Sequence, residues 1–127
     1  MGLLDRRYRV PGEQEARSPK ERARIRANAD DRALERLRDD GVDLTRPQRL
    51  QLAIRMPTHG VASKAAAPLR ESFEIEIERT DLQDGSCDVF ATCEMLLEER
   101  AVYAVSRRFD ELAQEAGGRY RGWRLAP

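Results

Sequence analysis

Few side chains in this sequence are of a type and spacing that could carry catalysis. The only histidine is His59. It falls in a segment expected to be a loop after the first strand, and no nucleophile or metal-ligand partner is spaced to work with it. Cys87 and Cys93 are six residues apart on what reads as one strand. At a rise of about 3.3 Å per residue they stand roughly 20 Å apart, too far to form a disulfide or share a metal ion. Both fall on the apolar side of that strand, where a thiol stays protonated and inert, so both are expected to be buried. No glycine-rich phosphate loop, Ser-His-Asp set or metal-ligand cluster is present. These residues point away from an enzyme, and neither a cofactor nor a metal ion is expected.

The side chains that could do other chemistry are charged ones at two-residue spacing. Glu74, Glu76 and Glu78 alternate with Phe73, Ile75 and Ile77. In an extended chain the three carboxylates point one way and the apolar groups the other. Asp88, Phe90, Thr92 and Glu94 alternate in the same manner with Cys87, Val89, Ala91 and Cys93, and Arg49 and Arg55 alternate with Leu50, Leu52 and Ile54. One reading is a solvated sheet face laced by cross-strand ion pairs. The other is a partner surface: three glutamates on one edge strand suit a basic protein segment, and they also repel edge-to-edge aggregation. Phe90 and Trp123 could together form an aromatic anchor in such an interface. Tyr120 and Trp123 have opposite parity, so they lie on opposite faces unless a bulge at Gly122 intervenes. Arg22, Arg24, Arg26, Arg32, Arg36 and Arg38 crowd one segment, which reads either as a solvated helix or as a phosphate-contacting one.

The elements that must position these groups follow from periodicity. Residues 1–17 lack any and read as a flexible arm. Ser18-Pro19-Lys20-Glu21 is a helix start with a capping serine and proline at the first position, and Gly41 is a plausible stop. The apolar set of this helix is thin, and only its second half, from about Asp30, is expected to dock. A strand over Leu50–Met56 ends at Pro57. A short helix within 61–71 either starts late, near Ser63, or is kinked, because Pro68 removes a helical bond. Strands over 73–78 and 87–95 are joined by the Asp84-Gly85 turn. A helix from about 98 to 116 carries Val102, Val105, Phe109, Leu112 and Ala116 on one stripe, Gly117-Gly118 stops it, and a fourth strand runs from Arg119 to Leu125. The order β-α-β-β-α-β after a leading helix predicts an α+β, ferredoxin-like antiparallel sheet of order 4-1-3-2, with an extra N-terminal helix. Both crossover helices then cover one face and leave the other open unless a partner or the N-terminal helix covers it.

Length and charge are consistent with this. A chain of 127 residues supports one core over 18–127, centred on about 30–125, without staples. Lys plus Arg equals Asp plus Glu at 23 each, so no global field draws it to nucleic acid or membrane. No apolar run approaches the roughly 18 residues of a membrane span. Met1 to Val10 has no signal-peptide core, and free thiols fit a reducing compartment; a cytoplasmic location is expected.

Three stretches resemble the ribonuclease E inhibitors of the regulator of ribonuclease activity B (RraB) type. They are Ala33 to Leu44; the Asp84-Gly85 turn with the Cys87–Glu94 strand; and Leu112-Ala113 through Gly117-Gly118-Arg119-Tyr120-Arg121-Gly122-Trp123. The last is similar to that family's closing Tyr-Asp-Gly-Trp run, with Arg121 in place of the aspartate. The resemblance spans about residues 30–124. It implies a non-catalytic protein that binds ribonuclease E, or a related RNA-processing enzyme, and modulates RNA cleavage. The expected partner-binding residues are Glu74, Glu76, Glu78, Asp88, Phe90, Glu94 and Trp123. A small RNA-binding module using the Arg-rich helix, or an oligomeric structural or immunity-type protein, is the alternative; a homo-oligomer fits either.

Overall fold

Ser18 opens the first helix, α1 (Pro19–Asp39), by accepting the Glu21 amide through its hydroxyl at 3.1 Å, which satisfies one of the orphan N–H groups of the first turn. The structure, a computed structural model, describes residues 18–127; the arm expected over 1–17 lies outside the described residues. Gly41, at φ +83°, ends α1: its amide bonds Arg38 and the Val42 amide bonds Leu37, the paired closure of a Schellman motif.

Strand β1 (Gln48–Met56) follows, then α2 (His59–Ala66), a 3-10 turn (Ala67–Glu71), β2 (Glu74–Arg79), β3 (Cys87–Met95), α3 (Glu99–Glu115) and β4 (Arg119–Leu125). All strand pairs are antiparallel and the order is β2-β3-β1-β4, so the ferredoxin-like expectation holds. Helix α2 starts earlier than expected. Thr58 caps it by accepting the Val61 amide, which makes His59 its exposed first residue and not a loop residue. Its α-helical run ends at Ala66, and Pro68 sits at the start of the tighter 3-10 turn, where its missing N–H costs nothing.

The core lies between the sheet and the helices. Leu50, Leu52, Ile54 and Met56 of β1 are all 0 % exposed, each burial contributing about 1.5–3 kcal/mol. They meet Val102, Phe109 and Ala113 of α3, Ala62 and Ala66 of α2, and Leu34 of α1. Phe73, just before β2, packs edge-on against Phe109 at 5.2 Å between ring centroids. The buried stripe of α3 is Val102, Ser106, Phe109 and Ala113, rotated slightly from the expected one; Val105, Leu112 and Ala116 only border the core.

Helix α1 packs antiparallel to α3 along most of its length. Arg26 pairs with Asp110, Asp30 meets Ser106, and the Tyr103 hydroxyl donates to Asp31. The expectation that only the second half docks is therefore corrected. The Arg26 side chain is 15 % exposed, because its ion pair with Asp110 holds the first half against α3. This contact also places α1 on the helix side of the sheet, so α1 does not cover the opposite face.

Helix α3 ends in a second Schellman motif, with Gly117 at φ +73° and the Gly118 amide bonding the Ala113 carbonyl at 2.7 Å. Gly118 then crosses the end of β1. A Cβ there would lie 2.4 Å from the Arg55 carbonyl oxygen and 2.7 Å from the Met56 sulfur. The absence of a side chain at this position is what lets β4 pair with β1.

Candidate partner-binding surface

The face of the sheet away from the helices is built by alternate residues of all four strands. Pairing places them in rows. Glu74, Thr92, Gln51 and Arg124 form one; Glu76, Phe90, Ala53 and Gly122 the next; Glu78, Asp88, Arg55 and Arg119 the third. Each row begins with a carboxylate on β2, and two of the three end with an arginine on β4. The face is therefore polarised across its strands, acidic on the β2 side and basic on the β4 side.

A bulge in β4 completes this pattern. Ile54 pairs with Tyr120 and Ala53 with Gly122, so Arg121 is the extra residue. Gly122 sits at φ +100°, a conformation that strongly favours glycine. The bulge turns Arg121 towards the open face. It also resolves the parity question, because Tyr120 and Trp123 both lie on the helix face, opposite Ile54 and Leu52. Trp123 donates its indole N–H to Asp30 at 2.9 Å. Phe90 stands on the other face, beside Ala53. The expected Phe90–Trp123 anchor is corrected on this ground: one inserted residue puts the two rings on opposite sides of the sheet.

Ion pairs organise the open face. Asp88 accepts both Nε and an Nη of Arg55, at 3.0 and 3.1 Å, and Arg121 Nη1 at 3.0 Å. Such bidentate, charge-assisted bonds are short and directional. The three side chains are only 12–16 % exposed. Asp88 was expected to present its charge to a partner. The structure instead buries it, held by two guanidinium groups, because β3 lies between the arginines of β1 and β4 on one side and the glutamates of β2 on the other.

Arg49 reaches over β3 to Glu74 at 2.8 Å, and Thr92 beneath this bridge is buried. Arg124 donates to Gln51 at 2.9 Å. Glu74, Glu76, Glu78 and Glu94 are exposed, and Phe90 is half-buried. Among the described residues no ion pair engages Glu76, Glu78 or Arg119. Because Ala53 and Gly122 are small, a shallow depression of about 370 Å³ opens beside Phe90.

A second polar group lies under the helices; sequence singled out its Tyr120 and Trp123, but not its Asp30 and Ser106. Asp30, 3 % exposed, accepts from Ser106 Oγ at 3.0 Å and from Trp123, and Ser106 also meets the Tyr120 hydroxyl at 3.1 Å. Burial pushes the Asp30 carboxyl above its ordinary range, partly opposed by the bonds from Trp123 and Ser106. Burial likewise raises the Tyr120 hydroxyl. The group ties α1 to α3 and β4. Ser106 carried a sequence signal, since it completes the 4-3-4 spacing of Val102, Phe109 and Ala113. Asp30, followed by Asp31 and Arg32, carried none.

The thiols stand as expected for Cys87, which is buried. Cys93 is half-buried, a correction that follows from its place near the end of β3, where cover thins; burial still raises its thiol above the ordinary value. Among the described residues no cluster of three or more His, Cys, Asp or Glu side chains could hold a metal ion. Nor, among the described residues, is any helix long and apolar enough to cross a membrane.

Comparison with known proteins adds one finding. The model of the family described as regulator of ribonuclease activity B matches residues 27–124. No curated protein matches the chain.

Proposed function

The chain belongs to the regulator of ribonuclease activity B family, and on that premise we propose that it binds an RNA-degrading enzyme of the ribonuclease E type and modulates it without chemistry of its own. The open sheet face is the binding surface in this reading. The observation that carries it is the β2 edge: Glu74, Glu76 and Glu78 are exposed in a row, and no ion pair among the described residues engages the last two. A basic protein segment, as nucleic-acid enzymes carry, complements that row. Glu94 extends the charge and Phe90 supplies an apolar contact beside it. Asp88 acts indirectly, by holding Arg55 and Arg121 in place. Trp123 acts from the helix side, by fixing α1 through Asp30.

The test is the triple change E74Q/E76Q/E78Q, titrated against a basic segment of such an enzyme at two salt concentrations. Folding should be nearly unchanged, because exposed charges contribute little individually. Association should slow severalfold, and its salt dependence should flatten, because rim charges act mainly on the on-rate. Binding equal to that of the unaltered protein at both salt concentrations would overturn the assignment of this edge. In a lysate, recovery of the enzyme that disappears on nuclease treatment would overturn direct protein binding in favour of an RNA bridge.

A further inference from the structure

The order of charges across the open face is complementary to itself. From β2 to β4 there are three strand spacings, about 14 Å. Over that distance the rows run from Glu78 to Arg119 and from Glu74 to Arg124. The midline falls between β3 and β1. A two-fold axis lying in the plane of the face, along that midline and parallel to the strands, exchanges β2 with β4 and β3 with β1. It leaves each row opposite its own reversed copy.

We propose that two copies of this chain dock through their open sheet faces about that axis, setting the β2 glutamates of each over the β4 arginines of the other. Glu78 of one copy then faces Arg119 of the other, and Glu74 faces Arg124. In the middle row, Phe90 faces Ala53, and the depression beside Ala53 and Gly122 receives the ring. Both copies contribute the same surface, as a closed two-fold dimer requires. The other in-plane axis, perpendicular to the strands, sets glutamate against glutamate and arginine against arginine, so charge selects one orientation. A uniformly basic partner laid across the whole face would meet Arg119, Arg121 and Arg124, whereas a second copy matches both halves.

The area limits the strength. Four strands of about seven residues present roughly 20 by 20 Å of sheet. That is about half of the 800 Å² per partner in an interface of standard size. The dimer is therefore weak and forms at high concentration and low salt. It covers the glutamate edge, so it competes with the partner proposed above; that consequence rests on the earlier reading, while the dimer itself does not.

Sedimentation velocity tests the dimer directly. The unaltered full chain should self-associate as its concentration rises from about 10 μM to about 1 mM at low salt, and raising the salt to about 0.5 M should reverse this. E74R/E78R and R119E/R124E should each sediment as monomers under the same conditions, and their equimolar mixture should recover a dimer, because each supplies the charges the other lacks. The concentration series needs no substitution, so it decides the matter even if a variant fails to fold. An unaltered chain that is monomeric at about 1 mM and low salt overturns the proposal. So does a dimer that either folded double variant retains, or a mixture of folded variants that stays monomeric. Because none of these readouts uses the ribonuclease, a failed dimer leaves the partner assignment standing, and a failed partner titration leaves the dimer standing.

Discussion

Replacing Asp30 by alanine should destabilise the protein by about 1–2 kcal/mol at neutral pH, from the balance of two opposed effects. The substitution takes the acceptor from the Trp123 indole, a bond of 2.9 Å to a half-buried ring; charged-acceptor bonds of this kind contribute about 1.5–3 kcal/mol. Ser106 loses less, since its hydroxyl can turn to Tyr120, 3.1 Å away. Against this, removing a carboxylate that is 3 % exposed recovers its desolvation cost. The net corresponds to a fall in Tm of roughly 4–12 °C for a domain of about 110 residues. Asp30→Asn keeps the acceptor oxygen without the charge, and should lie within about 1 kcal/mol of the unaltered protein.

The pH dependence separates the two effects. Burial raises the Asp30 pKa in the fold above the ordinary 3.8, so the folded state takes up this proton at a higher pH than the unfolded chain does. The contribution of Asp30 to stability is thus fully present below 3.8 and lost as pH rises through the raised folded value. Thermal melts by circular dichroism between about pH 4 and 8 should show Asp30→Asn gaining on the unaltered protein as pH rises and falling back as it drops. Other carboxylates titrate alike in both proteins and cancel in the difference. An Asp30→Ala protein as stable as the unaltered one at neutral pH, with a flat difference for Asp30→Asn across the range, would show that the Asp30 carboxylate neither anchors Trp123 nor bears a burial cost.

Two further outcomes follow from the packing. Gly118→Ala should cost about 1–3 kcal/mol in urea denaturation, because the new methyl meets the Arg55 carbonyl and the Met56 sulfur and one strand end must shift; a midpoint equal to that of the unaltered protein would show that β4 and β1 are looser than they stand here. Cys93, half-buried, should react with a thiol reagent before buried Cys87; its raised pKa should make that reaction slow at neutral pH and faster as pH rises, and rapid labelling of both, which share one face of the strand, would invert the face assignment of β3.

Local periodicity determined most of the architecture. Leu50, Leu52, Ile54 and Met56 alternate with polar residues, and a two-residue period can bury only one side of a strand. The faces of β2 and β3 follow from the same two-residue period. The helix caps at Ser18, Gly41 and Gly117 were legible because they rest on bonds between neighbours in sequence. The edge glutamates Glu74, Glu76 and Glu78 were placed correctly as an exposed row for the same reason. What alternation could not supply was anything set by contact between distant segments. One bulged residue, Arg121, moved Trp123 from the expected interface to the helix face, and a bulge depends on how β4 registers against β1. Asp88 carries a charge at an outward position, yet two arginines distant in sequence, Arg55 and Arg121, enclose it. Arg26 reads as part of a solvated or phosphate-contacting helix, and Asp30 carries no signal of its own, until α3 supplies Asp110 and Ser106 against them. Whether a charged side chain faces water or a partner within the fold is a property of what lies opposite, and only the packing of the whole chain decides that.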